Sequence, residues 1–154
     1  MGSAAPLGLL HPKIRPATAD DAQGLAVLLD VLGYPCTPQE ARERVLALQE
    51  DQGQRLLVAE CDGMLAGLLC YDLMYYLPLG ALSCRITALS IASGMQRRGI
   101  GRLLLREAES RARSAGAARI ELTSAEHRAD AHAFYRSCGY SDGALRFLKR
   151  LGDA

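Results

Sequence analysis

The stretch Gln96-Arg97-Arg98-Gly99-Ile100-Gly101-Arg102 sets glycines and arginines where an apolar, strand-like segment gives way to a helical one. Without Cβ atoms at 99 and 101, backbone N–H groups can approach a ligand closely. The unpaired amides of a first helical turn, with the positive end of the helix dipole, favour an anion at that place. Arg97, Arg98 and Arg102 add charge to the same rim, and a guanidinium can hold phosphate oxygens in pairs. The spacing predicts a phosphate or pyrophosphate site. No Lys-Ser/Thr follows the glycines, as a Walker loop requires, and Leu104 stands where a dinucleotide fingerprint has its third glycine. The plainer alternative is that the glycines cap a turn and the arginines form a solvated helix face.

An anion loop of this kind needs a strand before it and a helix after it, and the flanks supply both. Arg85 to Ile91 reads as a buried strand. Leu103, Leu104, Leu105, Ala108, Ala112 and Ala115 form a helical stripe that stops at Gly116. Upstream, Ile14-Arg15-Pro16 is a short strand. Thr18-Ala19-Asp20-Asp21 then caps a helix through Leu25, Leu28, Leu29 and Leu32. Thr37-Pro38-Gln39-Glu40 opens a second helix that runs to about Glu50. Leu56 to Ala59 and Met64 to Tyr75 are strands joined by a tight turn at Asp62-Gly63, and Leu77-Pro78-Leu79-Gly80 breaks the second. Ile120 to Thr123 is a further strand, Ala131 to Cys138 a helix closed by Gly139, and Leu145 to Leu151 a last strand. The order β-α-α-β-β-β-α-β-α-β, without repeat or linker, predicts one α/β domain over 1–154, with 1–12 as a flexible N-terminal segment.

Composition narrows the partners. With 154 residues, 49% hydrophobic and 23% charged, the chain can bury a continuous core. Eighteen basic against 17 acidic side chains give a net charge of +1, so no global field gathers nucleic acid or anionic membrane. Seven arginines do fall between Arg97 and Arg119, but Glu107, Glu109 and Glu121 break up the cluster. Cys36, Cys61, Cys70, Cys84 and Cys138 are odd in number and include no Cys-x-x-Cys pair, which fits a reduced, cytoplasmic protein and no metal site. None has a histidine nearby, so covalent transfer through a cysteine is not expected. Leu7-Gly8-Leu9-Leu10 is too short for a signal peptide. The apolar run from Met64 to Tyr71 is far below the ~18 residues of a membrane span.

Arg128-Ala129-Asp130-Ala131-His132-Ala133-Phe134-Tyr135-Arg136-Ser137-Cys138-Gly139-Tyr140, followed by Arg146 to Leu151, resembles the closing motif of the GNAT N-acetyltransferase superfamily. Ile86 to Gly101 resembles that family's strand and its Gln/Arg-x-x-Gly-x-Gly/Ala acetyl-CoA loop. The likeness covers roughly Ile14 to Leu151, and the tail is similar to the aminoalkylphosphonate and small-amine branch. It implies a fold of the α/β (α+β) class, with a mixed, mostly antiparallel central sheet flanked by helices, and acetyl-CoA as co-substrate. By the same resemblance, Leu89, Ser90 and Ile91 hold the pantetheine arm with their backbone. Gln96, Arg97, Arg98, Gly99, Ile100 and Gly101, with Arg102 beside them, take the pyrophosphate. Tyr135 stands where many members have a tyrosine that contacts the cofactor and protonates the departing thiolate. A phenol of reference pKa about 10 can donate to a thiolate whose acid lies near about 8.5, given hydrogen-bond reach.

Two positions depart from the family pattern. Arg128 replaces an asparagine that steadies the cofactor, and Ala88 stands where some members carry a glutamate base. Glu121 is then the first candidate base and Asp72 the second, acting through water, against the reading of solvated surface carboxylates. Tyr75 and Tyr76 precede the break at which the family's acceptor cleft forms, and either line it or pack. His132, four residues from Arg136, reads as a surface histidine. The resemblance and the apolar final strand imply a homodimer. The expected reaction is acetyl transfer to a primary amine of a small molecule. The alternatives are a non-catalytic acyl-CoA sensor or regulatory protein, supported by the missing strand glutamate, and a protein N-terminal acetyltransferase.

Overall fold

A computed structural model describes residues 11–123 and 129–152. The chain divides into two compact units, Met1–Glu121 and Leu122–Ala154.

In the first unit, local chemistry sets most of the elements. Asp62 and Gly63 both take positive φ, 51° and 78°, as a two-residue hairpin turn requires. They join β2 (Gln54–Cys61) to β3 (Met64–Tyr76) antiparallel, with Val58 opposite Leu68. β1 (Lys13–Pro16) pairs with β2 on its other side. After a turn ending at Gly80 (φ 63°), β4 (Ala81–Ile91) returns along β3 from Tyr76↔Ala81 to Gly67↔Ile91. β5 (Arg119–Leu122) completes a five-stranded sheet in the order β1-β2-β3-β4-β5. The Ala118 N–H donates to the Leu82 carbonyl at 2.8 Å and Arg85 pairs with Glu121, so residue numbers rise together and β5 runs parallel to β4. A parallel neighbour needs a crossover, and α3 (Ile100–Ser114) provides it.

The helices begin where their caps put them. The Thr18 N–H donates to Asp21 at 2.8 Å, and a 3-10 turn (Ala19–Asp21) leads into α1 (Ala22–Leu32), which ends at Gly33 with φ 105°. Thr37 and Glu40 exchange hydrogen bonds of 2.9 and 3.0 Å and open α2 (Pro38–Gln49), a cap whose loss typically costs about 1 kcal/mol. Leu25 and Leu28 of α1 and Val45 of α2 pack in one cluster with Val58 and Leu68 of the sheet. Gly67, next along β3, faces the other way, and a Cβ there would stand 3.1 Å from Leu104 of α3. The helix pair α1–α2 and the single helix α3 therefore cover opposite faces. Leu25, Leu28, Leu68, Leu104 and Leu105 are each at most 2% exposed, a burial that stabilises by about 1.5–3 kcal/mol per side chain.

In the second unit, α4 (Ala129–Ser137) is closed by Gly139 at φ 95°, with the Tyr140 N–H donating back to the Tyr135 carbonyl at 3.0 Å. The strand expected over Leu145 to Leu151 is not formed. Those residues have no regular structure, and Leu145, Phe147, Leu148 and Leu151 are exposed. Their alternation suits a strand, but a strand exists only as half of a ladder.

Candidate functional site

The loop between β4 and α3 presents backbone rather than side chains. The Ala92 N–H donates to the Ala66 carbonyl at 2.8 Å, the last rung after β4, and Met95 turns back onto Ala92 at 3.0 Å. Gly94, Arg97 and Gly99 then take φ of 85°, 63° and 85°. For Arg97 this left-handed geometry costs about 1–2 kcal/mol, strain held at the centre of the loop. Gly99 caps α3, and its carbonyl accepts from the Leu103 N–H at 3.1 Å. The amides of Ile100 and Gly101 precede that bond and have no acceptor within the helix. Ile100 buries its side chain to 1% exposure, which fixes the helix start and leaves only its backbone to meet a ligand. A Cβ at Gly99 would meet nothing within 4 Å, so this glycine serves its φ and open approach, not packing. Arg97 is exposed and Arg98 half-buried at the same rim. The Gln96 side chain folds back to donate to the Ile91 carbonyl at 3.4 Å.

The strand leading into this loop has an open edge. Since the Ala92 N–H points at β3, strand alternation turns Ser90 the same way and Leu89 and Ile91 toward the β5 side. Glu121 of β5 already lies beside Arg85, so among the described residues of the first unit no strand runs alongside Leu89 and Ile91, and only the Gln96 side chain meets that edge, at the Ile91 carbonyl. An extended ligand can bind there as an added strand would. Ser90, grouped with them in sequence, serves the packing instead. Its buried Oγ donates to the Leu28 carbonyl at 2.7 Å and ties β4 to α1.

Midway along β4 the register slips. Cys70 lies opposite Ala88 and Tyr71 opposite Ile86, leaving Thr87 as a bulge whose hydroxyl donates to the Cys70 carbonyl at 3.4 Å. A bulge bends and twists its strand, here at the point where β4 passes the end of β5. Thr87 and Ala88 line a cavity of about 370 Å³ between α1, α2 and the sheet. A larger groove of about 670 Å³ runs past Glu50, Asp51 and Arg55 and includes no residue of β4.

Glu121 does not present a vacant carboxylate. Oε1 lies 2.8 Å from Arg85 and Oε2 3.5 Å from Arg119, whose guanidinium sits 4.7 Å above the Tyr76 ring. To take a proton it would have to give up an ion pair. Asp72 faces the start of β2, where a Cβ on Gly53 would come within 2.9 Å of its Oδ1. Neither carboxylate lines the cavity. Tyr75 is 63% exposed, and both tyrosines lie at the hairpin end of β4, opposite Leu82 and Ala81 and so roughly 30 Å from Ile91 at strand rise. In the second unit, Tyr135 packs its ring 5.5 Å from Phe134 and 6.4 Å from Tyr140. Arg136 near His132 reaches Asp142 at 3.3 Å. Arg128 lies outside the described residues. The arginine pair on Glu121, the Thr87 bulge and the Arg44 rim of the cavity have no signal in the sequence, since each depends on register between distant segments.

Burial pushes the Cys84 thiol up to about 11 and raises those of Cys61 and Cys70, which favours the thiol over the more reactive thiolate at all three. All five cysteines are free. Among the described residues no group of three His, Cys, Asp or Glu is placed to hold a metal ion. Nor is any of their helices long and apolar enough to cross a membrane.

A glycine-capped helix start, a strand leading into it and a bulge halfway along that strand follow one another on β4 and its exit loop. Residues 25–140 match the Acetyltransferase (GNAT) family, and the chain belongs to it. Aminoalkylphosphonate N-acetyltransferase of Salmonella typhimurium is 30% identical over 140 residues, 90% of this chain and 91% of that protein. A solved structure described as a transcriptional regulator from Bacillus halodurans superimposes with a TM-score of 0.84 at 27% identity, over 92% of this chain and 100% of that one. An aminoglycoside N-acetyltransferase solved in complex with CoA shares the fold at a TM-score of 0.78 and 11% identity, over 93% and 97% of the two chains. The protein is an N-acetyltransferase with acetyl-CoA as its co-substrate.

Proposed function

We propose that the chain moves the acetyl group of acetyl-CoA to the primary amine of a small molecule by direct attack in a ternary complex. The observation that carries this is the continuity of the open β4 edge at Leu89 and Ile91 with the amides of Gly99 to Gly101. The pyrophosphate would rest on Gln96 to Gly101 under Arg97, Arg98 and Arg102, and the pantetheine would run along Leu89 and Ile91. That places the thioester toward the bulge at Thr87. The uncharged amine attacks the carbonyl carbon, the C–S bond breaks, Tyr135 gives its proton to the thiolate, and the proton shed by the acetylated nitrogen returns through water to Tyr135. The protein's share is positioning and electrostatic support of the developing oxyanion. The name of the Salmonella relative supports a small acceptor. The exposed Leu145 and Phe147 support association into a homodimer through the tail, to be checked by sedimentation at micromolar concentration. Five free cysteines fit a reducing, cytoplasmic setting.

Thiol release from acetyl-CoA, measured across a panel of amines, tests the reaction. Amine-dependent release is expected. A second reading, an acyl-CoA-binding regulator, draws on the Bacillus relative's description and on Ala88 in the place of a carboxylate. Tight acetyl-CoA binding with no amine-dependent release would favour it.

A further inference from the structure

We propose that the cavity between α1, α2 and the bulged part of β4 takes a monoamine with an apolar body and one acidic group, the acid set against Arg44 and the amine entering uncharged beside Thr87. This names the acceptor class for the acetyl transfer proposed above and rests on that reading. Leu29, Val45, Leu56 and Leu68 line the cavity, together with Thr87 and Ala88 at the register slip. Among the described residues, its one charged lining residue is Arg44.

Arg44, exposed at the rim, has no ion pair within 4 Å among the described residues, although its charge is felt at longer range by Glu40. Glu40, one turn earlier on α2, directs its carboxylate to the Thr37 N–H at 2.9 Å in the helix cap. An ammonium in this apolar space would be disfavoured twice, by desolvation and by the guanidinium at the rim. The neutral amine is the form that attacks a thioester, so the cavity selects it without a protein base, which fits Ala88 on the strand. A carboxylate or phosphonate on the same molecule would meet Arg44 in a charge-assisted, two-point contact. A polyamine or an aminoglycoside would instead have to bury a second cation with nothing to pair it.

Steady-state acetylation by the purified chain of phenylalanine, 1-amino-2-phenylethylphosphonate, 2-phenylethylamine, spermidine and kanamycin tests this directly. Both acids should exceed 2-phenylethylamine in kcat/KM by about tenfold, the worth of one charge-assisted contact. The faster of the two identifies the acid, and the polycations should be slowest. Arg44→Gln should remove the advantage of the acids, and Arg42→Gln on the same helix, outside the cavity lining, should keep it. Calorimetry of phenylalanine binding to the CoA complex should show the same dependence on Arg44. Equal rates for the matched pair, a preference for spermidine or kanamycin, or an acid advantage that survives Arg44→Gln would each overturn the proposal while acetyl transfer stands. Failure to bind acetyl-CoA would remove both together.

Discussion

β4 and the tail from Leu145 to Leu151 carry similar apolar, strand-like sequence and meet different fates. β4 has β3 along its whole length, from Tyr76↔Ala81 to Gly67↔Ile91, and its pattern becomes a buried strand. The tail has no ladder partner among the described residues, and it leaves Phe147 at 90% and Leu151 at 93% exposure. Apolar alternation chooses which side chains share a face, but only a neighbouring backbone turns the segment into a strand. A half-paired strand is a third case. Where β4 outruns β5, no described strand runs along its edge at Leu89 and Ile91, and it is there that the pantetheine of acetyl-CoA is proposed to lie.

The largest effect is expected at the end of that open edge. Gly99→Val puts a β-branched side chain at φ 85° and fills the space above the helix amides. Acetyl-CoA affinity measured by calorimetry should fall by more than about 100-fold, since both the close approach and the charge-assisted contacts are lost. The circular dichroism of the fold should persist, because the new Cβ touches no protein atom within 4 Å and the backbone strain falls on an exposed loop residue. Parent-like affinity would remove the loop from the site.

Next in size is the question of whether the second unit takes part in the chemistry at all. If Tyr135 is the acid, Tyr135→Phe keeps the ring contacts with Phe134 and Tyr140 and loses only the proton donor. Turnover at saturating acetyl-CoA should drop by roughly 10²–10³, with acetyl-CoA affinity retained. A change of less than a few-fold would confine Tyr135 to packing.

A smaller effect falls on the loop's own charge. Arg98→Ala should weaken acetyl-CoA binding by about 1–3 kcal/mol, the range for a lost charged hydrogen bond. A change confined to the KM of the amine would place Arg98 on the acceptor side instead.

What could be read from sequence follows the range of the interactions. The hairpin turn at Asp62-Gly63 and the cap at Thr37 to Glu40 are decided by residues within four positions of one another, and both stand where the sequence puts them. The loop is local too, a glycine at each end of the strand-to-helix change. Glu121 shows the limit. Its carboxylate is visible in sequence, but Arg85, which takes it, lies 36 residues earlier on the neighbouring strand. The bulge at Thr87 arises from a register that no single strand contains, and Arg44 becomes the charge of a cavity only when α2 is laid on the sheet. The tail failed for the same reason, since the presence of a partner is not encoded in the pattern that would pair with it.

The smallest effect separates the two units by stability instead of activity. Arg15 of β1 donates to Asp21 at 2.8 and 2.9 Å and to Glu60 of β2 at 2.8 Å, joining the start of α1 to the sheet. These bonds, Arg15 first, hold the Asp21 carboxyl below its ordinary range, and its side chain is only 10% exposed. A carboxyl whose folded pKa lies below its unfolded value of about 3.9 contributes stability above that value and loses it as pH falls through the folded one. Asp21→Asn should therefore lower the stability of the first unit by about 1–2 kcal/mol at pH 7, a modest sum because Arg15 is partly solvated. Parent and variant should begin to converge in urea unfolding as the pH falls below about 4 and meet only once it has passed the lowered folded pKa, where the native parent carboxyl is protonated as well. Hydrogen exchange should quicken over Ala22–Leu32 and leave Ala129–Ser137 unchanged. A gap that stayed constant down to pH 2 would mean that Asp21 acts through the shape of its cap and not through its charge.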